Sequence, residues 1–129
     1  MTENLTNKKK QKNPAFAREA RLNCLKDLQK VKRKGRSAAG KFCIIKALKT
    51  PPDSNRRVAF LISRRFDLSA VKRNRARRLF REVFRQIYPD LAPAWLLFIP
   101  KKQIKAIKTP ELLADICLLI DELELWKDR

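Results

Sequence analysis

An α+β fold, with helices covering one small sheet, is predicted by three features of this 129-residue sequence. Residues 69–88 and the segment after Thr109 repeat their apolar side chains at helical spacing. Three short apolar runs, KFCIIKAL (41–48), RVAFLIS (57–63) and AWLLFIP (94–100), read as strands. The resulting order is helix, strand, strand, helix, strand, helix, which fits a sheet backed by helices rather than a regular β-α repeat. The chain length suits one domain.

Taken in order, residues 1–15 are polar and lysine-rich and are expected to be a disordered basic tail, leaving 16–129 as a single domain. Residues 21–34 place Leu22, Leu25, Leu28 and Val31 at three-residue spacing, predicting a short helix capped near Asn23 and ending before Gly35. Gly35 and Gly40, the only two glycines, enclose a stretch where a turn or a close backbone approach is expected. The first two strands follow, separated by the loop Thr50-Pro51-Pro52-Asp53-Ser54-Asn55, and are expected to pair antiparallel. After Asp90 a turn leads to the third strand, then to a basic connection over 101–108. The last helix is predicted to start with Thr109 as N-cap and Pro110 at its first position. Leu112, Leu113, Ile116, Leu119, Ile120 and Leu123 form its buried stripe.

The central helix, SAVKRNRARRLFREVFRQIY, is the stretch that bears on function. Ser69 is its expected N-cap. Leu79, Phe80, Val83, Phe84 and Ile87 share one arc at 100° per residue, while Asn74, Arg77, Arg78, Arg81 and Arg85 lie on the other side. Arg64, Arg65, Lys72 and Arg73 crowd its N-terminal end, where backbone N–H groups and the helix dipole also favour anions. Arg73 with Arg77, and Arg77 with Arg81, are like charges at i,i+4 and cost the isolated helix roughly 0.3 kcal/mol each. Such an arrangement must be offset by packing and points to use by an anion. Glu82, four residues after Arg78, is expected to form a surface ion pair with it.

The formal charge is +19, from 32 Lys plus Arg against 13 Asp plus Glu, which favours a polyanionic partner. Residues 109–129 carry a net −4, so the cations form a footprint rather than a uniform coat. With no histidine, imidazole bases and histidine-ligated zinc sites are excluded. The remaining carboxylates are scattered, and two glycines cannot build a phosphate-cradling loop. Cys24, Cys43 and Cys117 have no metal-like spacing and suit a reduced interior. No apolar run nears the ~20 residues of a membrane span, and the N-terminus lacks an apolar signal core, so a cytoplasmic protein is expected.

Ala70-Val71-Lys72-Arg73-Asn74-Arg75-Ala76-Arg77-Arg78-Leu79-Phe80-Arg81-Glu82 closely resembles the signature helix of the bacterial ribonuclease P protein subunit. Arg73, Asn74 and Arg75 match its core, Arg77 and Arg78 its basic pair, and Arg81-Glu82 its end. Ser63-Arg64-Arg65 resembles the Ser-Lys-Lys that closes the preceding strand. Arg21-Leu22, Asp27-Leu28-Gln29-Lys30-Val31 and Gly35-Arg36 resemble the first helix and turn, so the likeness spans roughly residues 20–125.

The resemblance implies a mixed sheet of about four strands, in the order α-β-β-(β)-α-β-α, with a left-handed strand–helix–strand crossover against the usual rule. It implies a protein partner of a catalytic RNA that, with Mg²⁺ held by the RNA, removes the 5′ leader from precursor tRNA. Arg64, Arg65, Lys72, Arg73, Asn74, Arg75, Arg77, Arg78 and Arg81 would bind RNA. Leu28, Lys32, Phe42 and Lys46 would line the leader cleft, where Leu28, Lys32 and Lys46 replace the family's usual aromatics. The linker over 65–69 is about one residue longer than in the family, with Asp67 roughly where a glycine is usual. From charge and size alone, a structural rRNA-binding protein of the ribosome is the alternative. A DNA-binding regulator lacks a helix-turn-helix pair here, and a protein-only nuclease lacks a carboxylate cluster.

Overall fold

The computed structural model describes residues 21, 22 and 24–127. Its elements are α1 (Leu25–Lys34), β1 (Arg36–Ala39), β2 (Cys43–Lys49), β3 (Arg57–Phe60), α2 (Ala70–Ile87), β4 (Ala94–Pro100) and α3 (Thr109–Leu123), with 3₁₀ turns at Tyr88–Asp90 and Lys102–Ala106. The expected basic tail and the Asn23 cap lie outside the described residues; Cys24 occupies the N-cap position of α1.

The four strands form one mixed sheet in the order β1-β2-β4-β3. The first two predicted strands therefore do not pair with each other. β4 lies between them, antiparallel to β2 and parallel to β3. The physical reason is burial. Ala94 to Phe98 of β4 are buried without alternation, as a strand covered on both faces must be. In β2 buried and half-buried positions alternate, and β3 buries only Val58 fully. β3 is also shorter than predicted; Leu61 still donates to the Phe98 carbonyl (2.8 Å), but no ladder follows. Parallel β3 and β4 require a long crossover, which α2 supplies.

The stretch between the glycines is an edge strand, β1, rather than a turn. The close approach is real. Neither glycine has positive φ, yet a Cβ on Gly35 would lie 2.8 Å from the Ala47 carbonyl oxygen, and one on Gly40 2.6 Å from a carboxylate oxygen of Asp115.

One sheet face packs under α2 and α3. Leu79, Phe80, Val83, Phe84 and Ile87 of α2 are all buried, as their arc predicts. Phe80 meets Phe98 of β4 at a ring-centroid distance of 5.4 Å, and Phe84 meets it edge-on at 6.2 Å. Burying each such ring contributes roughly 1.5–3 kcal/mol. α3 buries its predicted stripe except Leu113, which is half-buried. That helix starts at Thr109 with Lys108 as N-cap, one residue before the predicted cap, because the Glu111 carboxylate accepts from the Lys108 N–H (3.0 Å).

The other face is only partly covered, by α1. Leu22, Val31, Trp95 and Leu97 form a small cluster there, with Leu28 and Leu48 at its margin. Leu25, predicted in the same stripe, is 69% exposed. A spacing of three drifts around a helix of 3.6 residues per turn. Leu22 reaches the cluster from an extended segment whose N–H donates to the Val58 carbonyl (2.9 Å).

The two layers are joined at a buried carboxylate. Asp115 of α3 accepts from the backbone N–H groups of Lys41 and Phe42, both at 3.0 Å, in the turn between β1 and β2. Lys101, just past β4, donates through Nζ to the Gly40 carbonyl (2.6 Å). Asp115→Ala would leave two N–H donors unpaired, a loss of roughly 2–4 kcal/mol. The expected outcome is a Tm lower by on the order of 10 °C. Gly40→Ala should act in the same direction, because its methyl group enters the carboxylate's space. Thermal melts followed by circular dichroism check both, and unchanged Tm values would contradict this clamp.

Candidate nucleic-acid interface

The N-terminal end of α2 is built by short-range polar contacts. The Ser69 hydroxyl accepts from the Lys72 N–H (3.3 Å), which confirms it as N-cap. One residue pair earlier, Asp67 Oδ1 accepts from the Ser69 N–H (2.8 Å). Phe66 is buried and anchors the preceding turn, where the Ser63 hydroxyl accepts from the Arg65 N–H (3.2 Å). This leaves Arg64 and Arg65 exposed at the rim. The far end of α2 is held by Arg56, which donates to the Tyr88 carbonyl (2.8 Å) and lies 4.3 Å above its ring.

The cations of α2 fall into distinct groups. Arg73 donates to the carbonyls of Asp67 and Leu68, both at 2.9 Å. Arg75 donates to the carbonyls of Ile107 (2.7 Å) and Lys105 (3.3 Å). Both guanidinium groups thus brace the segments around the helix while retaining their charge at the surface. Arg77 donates to the Asn74 side chain (2.8 Å). Lys72, Arg78 and Arg81 are exposed. Glu82 pairs with Arg85 and Gln86 rather than with Arg78 as predicted. The contact with Arg85, followed by that with Gln86, holds the Glu82 carboxyl below its ordinary pKa. Arg78 therefore has no hydrogen-bond or ion-pair partner among the described residues.

Beside this end of the helix lies an open groove of about 840 Å³, at the carboxyl ends of the parallel strands β3 and β4. Leu61, Ser63, Arg65, Ile99, Lys101 and Lys102 are among its walls. In the sequence, residues 101–108 read only as a basic connection. The fold brings Lys101 and Lys102 opposite Arg65, and the lysine run directly after a buried strand was the available signal.

The expected cleft residues are divided. Lys46 pairs in register with Ser37 on one side and Leu97 on the other, on the face where Leu28 packs. Lys32 is exposed on α1, beside Gln29 and Arg33. Phe42 packs into the core on the opposite face, its N–H bound to Asp115, so it does not join the other three.

Chemically, the arrangement can bind a polyanion. Among the described residues no three Cys, Asp or Glu side chains cluster to hold a metal ion. Burial, and next the nearby Asp115, push the Cys43 thiol up to about 12, so it is no nucleophile. No helix among the described residues is long and apolar enough to cross a membrane.

A mixed sheet backed by helices on one face, with a cationic helix end and a cation-lined groove left open, defines a small polyanion-binding α+β protein. The family model for ribonuclease P matches residues 16–124, and the chain belongs to the ribonuclease P protein family. A ribonuclease P protein component from an Exiguobacterium species is 30% identical over 112 residues, covering 87% of this chain and 96% of that protein. One from a Synechococcus species is 42% identical over 69 residues, 53% of this chain and 52% of its own length. The Staphylococcus aureus RNase P protein superposes with a TM-score of 0.74 at 18% identity, over 84% of this chain and 98% of that one. The Thermotoga maritima protein gives 0.69 at 20%, over 79% and 96%. Both share the fold.

The division among the arginines is testable in the isolated protein. Arg75→Met loses charge-assisted bonds to two carbonyls and should lower stability by roughly 1.5–3 kcal/mol. Arg78→Met should stay within about 0.5 kcal/mol of wild type. Chemical denaturation measures both.

Proposed function

We propose that this chain acts in the cytoplasm as the RNA-binding subunit of ribonuclease P. It docks on the catalytic RNA through Lys72 to Arg81 of α2 and contacts the 5′ leader of precursor tRNA, while the RNA performs the hydrolysis. The observation that carries this reading is the exposed cationic end of α2. Arg64, Arg65 and Arg78 have no side-chain hydrogen bond within the described residues, so their forks are available to phosphate oxygens. The helix N-terminus adds a positive dipole end at the same place.

Arg73 and Arg75 serve the same interface differently, holding its shape from within. The leader would lie along the half-covered sheet face near Leu28 and Lys46, with Lys32 on the adjoining helix. Phe42 is displaced from that face, so the contact depends on charge and on aliphatic surface more than on stacking. Mg²⁺ belongs to the RNA in this reading, because the described residues offer no cluster of ligands for it. The relatives reported above are all ribonuclease P proteins, which lends the ribosomal alternative no support.

Reconstitution tests the proposal. Added to its cognate RNA at low Mg²⁺, the protein should increase the rate of precursor tRNA cleavage. Arg64→Glu and Arg78→Glu should each weaken holoenzyme assembly and flatten its log–log salt dependence by roughly 0.7–0.9 per lost phosphate contact. No gain in cleavage over RNA alone would reject the reading.

A further inference from the structure

The loop leading into α2 and the connection after β4 meet at one ion pair. Lys105 Nζ lies 2.8 Å from Asp67 Oδ2, with the Asp67 side chain only 13% exposed. The other oxygen of Asp67 is occupied by the Ser69 N–H. The Lys105 ammonium also sits 5.3 Å from the centre of the Phe66 ring. The Lys105 contact, then the Ser69 N–H, hold the Asp67 carboxyl below its ordinary pKa, so it is ionised at neutral pH. Arg73 and Arg75 complete the frame, one bound to the carbonyls of Asp67 and Leu68, the other to those of Lys105 and Ile107.

Each segment carries cations on the groove side, with Lys101 also donating to the Gly40 carbonyl. Arg65 stands just before Phe66 and Asp67, and Lys101 and Lys102 open the turn that ends near Lys105. The ion pair therefore ties together the two walls of the groove. An acid in this position is otherwise unfavourable: it brings negative charge to a surface that attracts phosphate, and it neutralises one lysine.

We infer that Asp67 is a positioning residue for RNA, holding through Lys105 the Arg65 wall and the Lys101 and Lys102 wall at the separation at which both engage one sugar–phosphate strand. The inference rests on the RNA-binding reading above and deepens it, by continuing the 5′ leader from the half-covered sheet face, past Ile99, into this groove. Charge and geometry give opposite signs. If Asp67 acts only through its charge, Asp67→Asn removes a repulsion and tightens binding. If it positions the walls, the same substitution weakens binding although the protein becomes more basic.

The experiment uses reconstituted holoenzyme and measures dissociation constants for a precursor tRNA with a single-stranded leader and for the same tRNA without it. Asp67→Asn and Lys105→Met should each weaken leader-dependent binding by about fivefold, the double variant should be no weaker than either single one, and Lys105→Arg should stay within about twofold of wild type. The salt dependence of leader binding should become shallower in Asp67→Asn, because one wall disengages. Binding of the leaderless tRNA should not change. Should Asp67→Asn fail to fold, Lys105→Met against Lys105→Arg carries the test, since both keep the Asp67 to Ser69 bond.

Tighter or unchanged leader binding in a folded Asp67→Asn holoenzyme, or additive effects in the double variant, would overturn the positioning role alone. A wild-type holoenzyme that binds both tRNAs equally would overturn the leader reading as well.

Discussion

The packing of α2 on the centre of the sheet is the interaction on which the rest of the structure depends. Phe80 and Phe84 stand against Phe98 of the doubly buried strand β4, and Leu79, Val83 and Ile87 close the interface. This burial offsets the mutual repulsion of like charges along the same helix, each pair of which costs only tenths of a kcal/mol. It also fixes which way the helix points. With its apolar arc committed to the sheet, the cationic residues cannot turn inward, and its N-terminal end must project beside the carboxyl ends of β3 and β4. The placement of the cationic surface is thus a consequence of core packing.

That surface is more differentiated than a run of charges. Lys72, Arg78 and Arg81 are exposed, whereas Arg73 and Arg75 spend their donors on backbone carbonyls of two flanking segments. Arginine suits this double use because its guanidinium can bridge carbonyls and remain charged at every relevant pH. The acidic groups that do occur are employed in the same way. Asp115 fastens the β1–β2 turn to α3, and Asp67 fastens the loop before α2 to the connection after β4. Carboxylates in this chain act as fasteners beneath a cationic surface.

How much of this was readable in the sequence follows from the range of the interactions. The arc and N-cap of α2, and the stripe of α3, are set by residues three and four apart, and both were readable. The grouping of Leu28 with Lys46 rests on the family likeness alone, since no local pattern relates a helix residue to a strand residue. Strand order was not readable, because which strand takes the centre depends on comparing burial over distant segments. The unbroken apolar run of AWLLFIP was the one clue that β4 would lie between β2 and β3. Leu25 leaves its stripe because a spacing of three drifts around the helix, and Phe42 lies in the turn before β2, outside the strand alternation. Glu82 had two arginines within reach, and spacing alone could not choose Arg85 over Arg78. The Asp67 to Lys105 pair spans 38 positions, and no local pattern announces it.

Tethered cleavage tests the central claim, that the N-terminal half of α2 faces the catalytic RNA, most directly. A protein with one accessible cysteine is required, with Cys24 and Cys117 replaced and the buried Cys43 left in place. An iron chelate attached at Arg78→Cys in the assembled particle should cut the RNA backbone at a few defined sites. The same chelate at Leu118→Cys, exposed on the outer face of α3, should leave the RNA largely uncut. Strong cleavage from position 118 with none from position 78 would contradict the account.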